Sequence, residues 1–457
     1  MNLEKIHSVY FIGIGGIGMS ALARWFKHNG KRVSGYDKTE TELTNRLVSE
    51  GIKIHFSDNV DLIDDELRAN PASSLVIYTP AVPKHHTELN WLKDNGFEVL
   101  KRSQVLGVIT QNMRSVAVAG THGKTTTSSM VVHLLKTAGY DVAGFLGGIS
   151  ANYDTNMILN ETDQAIAVIE ADEFDRSFLT LHPEWAVVTA ADADHLDIYG
   201  DKDALKDSFR DFIKKIKKNG KLFVKNELAS ELIADKDLNF EGYALNNASI
   251  TAQNIRFEGA SFIFDYKHGE KIIEGIRLNV PGYHNVENML AAISVSRHLG
   301  ADDVSIKNGV ESYTGVKRRF EFIIKNDDLI FIDDYAHHPV EITALLRSVR
   351  DLFAGRKITA IFQPHLFSRT RDFAPEFSES LSLADEVILL EIYPARELPM
   401  EGVNAEMLLQ GITADRKMLS SKENLIENIK NWRPEVVLTI GAGDIDKLVK
   451  PIKMALS

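Results

Sequence analysis

The residues best suited to chemistry are Gly120-Thr121-His122-Gly123-Lys124-Thr125-Thr126, which follow the β-branched run Ser115–Ala119 and open a helical pattern. Such a loop turns backbone N–H groups toward phosphates. Its lysine reaches the β- and γ-phosphates, and the hydroxyl beside the lysine sits on magnesium. The gap between its glycines is two residues shorter than in the common G-x-x-x-x-G-K-[ST] loop. The carboxylates that such a loop needs follow the next two apolar runs. Glu170-Ala171-Asp172-Glu173-Phe174-Asp175 comes after Ala165–Ile169, and Asp192-Ala193-Asp194-His195 after Ala186–Thr189. Hard oxygens and an imidazole at strand tips suit magnesium, in a site of the two-metal kind, with Thr125, Glu170 and His195 as ligands. Asp172 and Asp175 read as residues of a solvated loop.

A second phosphate-binding pattern stands near the start. Gly13-Ile14-Gly15-Gly16-Ile17-Gly18 carries G-x-G-x-x-G through Gly13, Gly15 and Gly18, between a strand and a helix. Backbone amides there can approach a pyrophosphate, and Asp37 at the end of the next strand can accept from a ribose hydroxyl. The motif says diphosphate and no more. Further along, Asn285 and Asn288 lie three apart on one helical face. An amide can read an adenine edge, or Asn285 can cap the helix; the spacing leaves both open. Asp333-Asp334-Tyr335-Ala336-His337-His338-Pro339 and Gln363-Pro364-His365 with Arg369 and Arg371 each end a strand, and together look like an anion-binding wall.

The elements that must hold these groups alternate in type. Strands are expected at 7–12, 32–36, 75–78 and 99–101, with helices at 17–29 and 42–50, which argues for a parallel, doubly wound sheet. A second unit opens at Ser115, with shorter, more antiparallel-looking strands from Lys221 to about Val280 and a helix at 285–298. A third begins near Phe322, with a helix at 340–353. The expected domains are therefore 1–108, 109–321 and 322–457. The run Lys214–Lys218 reads as the solvated end of a helix over 204–219, not as a nucleic-acid patch.

Composition narrows the classes. The 457 residues carry a formal net charge of −12, which disfavours nucleic acid and anionic membranes as partners. There is no cysteine, so disulfides, thiolate metal sites and thiol nucleophiles are excluded. No signal-peptide pattern and no apolar run of membrane-spanning length is seen, and a cytoplasmic location is expected.

Read in order, the glycine loop, G-T-H-G-K-T-T, E-A-D-E, D-H-L-D-x-Y-G, G-x-H-N-x-x-N, R-R-F-E, D-D-Y-A-H-H-P and G-A-G-D-I resemble the Mur ligase family, which builds the peptidoglycan peptide. The resemblance runs from residue 7 to about 447. It implies an α/β chain of three domains: a Rossmann-like UDP-sugar domain, a central P-loop ATPase-like domain and a Rossmann-like carboxy-terminal domain that closes over the amino acid. It further implies ATP and Mg²⁺, with UDP-N-acetylmuramate and L-alanine as substrates, in a monomer or homodimer. Lys124 and Thr125 match the phosphate-loop lysine and magnesium hydroxyl, and Glu170 and His195 the other metal ligands. His284, Asn285 and Asn288 match the adenine motif, and Arg319 the arginine on the nucleotide phosphates. Asp333 or Asp334 matches the aspartate near the ribose. Gly13, Gly15, Gly16, Gly18, Asp37 and Thr79 fall on the sugar nucleotide. His337, His338, His365, Arg369 and Arg371 fall where substrate carboxylates are held, with His337 and His338 among the catalytic groups beside Lys124, His195 and Arg319. The sequence departs from the family at Ala190, usually Asn, and at Leu366, usually Arg. A ligase of the same family that attaches a tripeptide shares nearly every motif. An NAD-dependent oxidoreductase would leave Gly120–Thr126 and Glu170 unexplained, and a non-catalytic regulator would bind the same nucleotides without releasing phosphate.

Overall fold

The computed structural model describes residues 3–192, 199, 201–235, 237–395 and 397–457. The chain divides into two compact units: residues 1–253, 266–273 and 288–310, and residues 254–265, 274–287 and 311–457.

The first unit begins with a five-stranded parallel sheet of β1 (Ser8–Ile12), β2 (Arg32–Tyr36), β3 (Lys53–His55), β4 (Ser74–Tyr78) and β5 (Glu98–Lys101). Their order, β3-β2-β1-β4-β5, reverses beside β1, so the loop after β1 lies at a topological switch point. Helix Ile17–His28 follows that loop and buries Met19, Leu22, Ala23 and Phe26, an i, i+3, i+4, i+7 stripe.

The same unit holds β6 (Ser115–Ala119), β7 (Val142–Ser150), β8 (Thr155–Ile158), β9 (Ile166–Ala171), β10 (Trp185–Val188), β11 (Lys221–Lys225) and β12 (Phe240–Ala244). β6 runs parallel to β9 on one side and β10 on the other, both apolar as central strands must be. The first strands after Lys221 depart from the antiparallel reading. β11 pairs parallel with β10 and β12, and β12 pairs parallel with β13 (Ile250–Glu258). Helix Asn226–Leu232 supplies the crossover that a parallel pair needs, and the Asn and Gly residues nearby had suggested hairpins instead. The sheet continues through β14 (Ser261–His268) and β15 (Lys271–Leu278), whose residues are shared between the units. The helix expected at 204–219 is Lys202–Ile213. Lys214 caps its end, and the Lys217 N–H turns away to the Pro183 carbonyl at 2.9 Å.

Asn156 on β8 ties the first sheet to the second. Fully buried, it donates to the Ile17 carbonyl and to Ser20 Oγ at 2.9 Å, and accepts from Arg24. Asn156→Ala should cost about 1–3 kcal/mol by stranding buried partners, lowering the melting temperature by a few degrees in calorimetry.

The second unit is built on β16 (Glu321–Lys325), β17 (Ile330–Asp334), β18 (Ile358–Phe362), β19 (Glu386–Leu389), β20 (Arg416–Leu419) and β21 (Val436–Ile440). Their order is β16-β17-β21-β18-β19-β20, parallel except for β16. The segments after β17 and β18 thus leave the carboxyl edge on either side of β21. Among the described residues no helix is long and apolar enough to cross a membrane.

Candidate active site

The phosphate loop joins β6 to helix Lys124–Thr137. Gly120 has φ +144°, and a Cβ there would run into Thr189 Oγ1 at the end of β10. That hydroxyl donates to the Ala119 carbonyl at 3.2 Å and to the His122 carbonyl, stitching the loop to the neighbouring strand. The Thr121 N–H donates to the Ala190 carbonyl at 3.1 Å, so the backbone at Ala190 supports the loop where the family has an asparagine side chain. Gly123 enters the helix with φ +79°, and a Cβ on it would stand 2.8 Å from Asn288 Oδ1. Asn288 therefore sits against the loop. Asn285 lies in the first turn of helix Tyr283–Leu299, and its amide donates to the Pro281 carbonyl at 2.7 Å. That bond runs the wrong way for an N-cap, which accepts from the backbone, and so the capping reading is set aside.

Lys124 Nζ donates to the Gly120 carbonyl at 2.7 Å and to Glu173 Oε1 at 2.9 Å, with Glu173 Oε2 in ion-pair contact at 2.8 Å. Burial works against the ammonium, but the Glu173, Asp172 and Glu170 carboxylates outweigh it, so the lysine pKa rises and Lys124 stays charged. Thr125 is buried in the first turn. Glu170, at the end of β9, accepts from the Gly147 N–H at 3.0 Å, and a Cβ on Gly147 would overlap its carboxylate. Glycine thus leaves room for Glu170 in a cradle on β7. A threonine hydroxyl and a carboxylate are the hard donors that Mg²⁺ takes, so the residues fit that ion. His195, the third expected ligand, lies outside the described residues. Asp172 is no idle loop residue: it accepts from the Phe174 N–H at 3.2 Å and stands 3.7 Å from Arg102.

In the first sheet, the Gly13 and Ile14 N–H groups donate to the Tyr36 carbonyl at 2.8 and 3.0 Å. Asp37 Oδ2 accepts from the Gly15 N–H at 2.7 Å, so Asp37 fixes the glycine loop itself. Gly16, Gly18, Thr79, Arg102, Glu170 and Asp172 line one cavity of about 270 Å³. A diphosphate-type loop and a metal-type carboxylate therefore open on the same space. Arg102 is the functional candidate that sequence reasoning missed. Its signal was a basic residue just past β5, at the carboxyl edge where ligands gather.

In the second unit, Arg319 is flanked by Arg318 and Phe320, both at positive φ, +62° and +51°. Asp334 holds that turn: its Oδ2 accepts from the Phe320 N–H and its Oδ1 from the Ala336 N–H, each at 2.7 Å. Burial pushes the Asp334 carboxyl up to about 6. Asp333 accepts from Thr439 Oγ1 at 2.6 Å and faces Arg318 at 3.4 Å. Both aspartates thus shape the turn that presents Arg319, whose guanidinium lies 4.9 Å from the centre of the Tyr335 ring. His337 lies 3.0 Å from the Tyr335 carbonyl through Nδ1, with the His365 ring 6.2 Å away. His338, expected among the catalytic groups, instead caps helix Pro339–Leu352 and packs on Phe373 at 4.9 Å. Arg369 is buried, whereas Arg371 is half exposed and paired with Asp372 at 2.7 Å. Of the two, Arg369 is the one set inside the fold.

Burial pushes three imidazoles, His133, His284 and His337, down to about 4. Each is expected to stay neutral at pH 5, which a histidine ring-proton NMR titration would check. The folded pKa is depressed, so the stability these groups add is present above pH 6.5 and is lost as the pH falls toward 4.

A phosphate loop on a central parallel strand, hard metal donors beside it and a glycine loop on the same cavity define a nucleotide-dependent phosphoryl-transfer protein. Comparison with known proteins sharpens this. Residues 8–114 match the Mur ligase family catalytic domain, 118–296 the Mur ligase middle domain and 318–443 the Mur ligase glutamate ligase domain. A UDP-N-acetylmuramate–L-alanine ligase of Flavobacterium johnsoniae is 49% identical over 100% of this chain and 99% of its own length. The crystal structure of a UDP-N-acetylmuramate–alanine ligase from Thermotoga maritima matches with a TM-score of 0.81 at 29% identity, covering 97% of this chain and 98% of that one. A murein peptide ligase from Psychrobacter arcticus shares the fold, with a TM-score of 0.69 at 23% identity over 98% of both chains. The chain belongs to the Mur ligase family.

Proposed function

We propose that the chain is an ADP-forming ligase that joins L-alanine to the lactyl carboxylate of UDP-N-acetylmuramate, in the cytoplasm, as the first peptide step of peptidoglycan precursor synthesis. The observation that carries this reading is the single cavity lined by the glycine loop and by Glu170, where a sugar diphosphate and a nucleotide's metal would meet. The full-length likeness to alanine-adding ligases supports the choice of substrates.

The carboxylate attacks the γ-phosphate of ATP, and the resulting acyl phosphate is opened by the amine of alanine. No protein nucleophile is needed, in keeping with a chain that has no cysteine. When bound by Thr125, Glu170 and His195, Mg²⁺ supplies charge neutralisation to the β- and γ-phosphates. Lys124 contributes fixed positive charge to the same phosphates. In the second unit, Arg319 is the residue that matches the family's nucleotide-phosphate arginine. Asn288, against the loop, stands on the nucleotide side, and Asp37 holds the amides of the glycine loop for the sugar diphosphate. Arg102 carries the opposing charge in the cavity. His337, kept neutral by burial, falls among the groups that would hold a substrate carboxylate.

The rival within the family adds a tripeptide. The F-Q-P-H and R-T-R-D segments beside β18 favour the single amino acid. The test is phosphate release with UDP-N-acetylmuramate and ATP, with L-alanine and the tripeptide L-alanyl-γ-D-glutamyl-meso-diaminopimelate offered separately and in competition. Release with L-alanine at least about a hundredfold faster supports the proposal; the reverse preference contradicts it. The oxidoreductase reading falls with membership of a ligase family.

A further inference from the structure

The acidic run after β9 divides its work. Glu170 turns to Gly147 on β7, Asp172 to Arg102, and Glu173 to the phosphate-loop lysine. The last contact is the closest. Both Glu173 oxygens lie within 2.9 Å of Lys124 Nζ, and the Glu173 side chain has no exposed surface. Its backbone is held in turn by Tyr199, whose hydroxyl donates to the Glu173 carbonyl at 2.6 Å. The lysine that ought to meet phosphate oxygens is therefore already engaged by a buried, well-anchored carboxylate.

We propose that Glu173 is a positioning residue that competes with the nucleotide for Lys124, holding the ammonium at the loop and yielding it to the β- and γ-phosphates of ATP. The inference rests on the ligase reading above. A carboxylate and a phosphate oxygen both demand the charge of Nζ, and each weakens the other's hold. Phosphates must draw the ammonium off Glu173 to bind, and Glu173 draws it back as ADP leaves. ATP affinity is lowered by this contest, and the turnover cycle is kept open. An anion that is held by the loop amides but does not reach Lys124 escapes it.

The test uses Glu173→Gln, which keeps the shape and removes the charge. Calorimetry with the full-length protein is expected to give ATP and ADP dissociation constants about tenfold lower, with AMP unchanged, while kcat falls because ADP leaves more slowly. Glu173→Asp, which withdraws the charge by one methylene, is expected to change ATP affinity in the same direction but less. In a Lys124→Met background, Glu173→Gln should leave ATP affinity where it was, since the contest has lost its object. ATP affinity that is unchanged or weaker in Glu173→Gln, or an AMP shift equal to that of ATP, would overturn the proposal. Wild-type protein that binds no ATP at all marks a different failure, that of the ligase reading itself.

Discussion

Lys124→Ala is expected to slow phosphate release by about a thousandfold while leaving UDP-N-acetylmuramate bound. The magnitude follows from removing one preorganised charge at a transferring phosphoryl group, which costs about 10²–10³ in rate where a single donor has been deleted. Lys124 exceeds a single neutral donor because it is a buried, permanent cation surrounded by three carboxylates and lined up on the loop by the Gly120 carbonyl. The substitution also leaves Glu173 buried without its cation. Burial already pushes Glu173 up to about 7, so it can take a proton, and the chain should remain folded. On the proposed reading the sugar nucleotide is placed by Gly15, Gly16, Gly18 and Asp37, none of which touches Lys124 among the described residues. Binding of UDP-N-acetylmuramate measured by calorimetry therefore separates lost chemistry from lost fold. Its disappearance in Lys124→Ala would contradict this division of labour.

Gly120→Ala is expected to cost about a hundredfold in kcat/KM for ATP. Two separate obstacles act at this position. Its φ of +144° strains any L-residue by about 1–3 kcal/mol, and the new methyl runs into Thr189 Oγ1 and comes within 2.8 Å of the Ala190 amide. The loop must shift, and a displacement of about an ångström in a positioning element is worth about 10² in rate. The double variant Gly120→Ala/Thr189→Ala removes one obstacle and keeps the other. Partial recovery is expected, with kcat/KM measured by coupled ADP release. Full activity in the single variant would show that the loop is not held in this conformation during the reaction.

The residues explain what could be read without coordinates. The glycine loop and the phosphate loop are local: each lies within a strand–turn–helix whose signals sit side by side in the chain, and both fell where expected. Lys124 and Thr125 open the helix after β6, and Glu170 lies near the end of β9, so the local pattern located all three in the fold. What was illegible depends on distant partners. Nothing near Arg102 announces that it faces Asp172, seventy residues on in the chain. The Glu173–Lys124 pair spans 49 positions. His338 carried a chemically suggestive side chain, but the helix that Pro339 starts needed a cap, and the imidazole fills that place. The aspartates that end β17 resembled ligand-facing groups; at the positive-φ turn around Arg319, Asp334 accepts from the Phe320 N–H and Glu321 from the Arg318 N–H. The parallel pairing of β10 to β13 was hidden because a short crossover helix and a turn-rich loop share the same polar residues.

The central claim is that the sugar acid's own carboxylate attacks ATP before any amide forms. It is tested by running the reaction with UDP-N-acetylmuramate carrying ¹⁸O in the lactyl carboxylate and analysing the released orthophosphate by mass spectrometry. One labelled oxygen per phosphate, appearing together with the L-alanyl product, is the predicted result. Unlabelled phosphate, or amide formed without phosphate, would contradict the account.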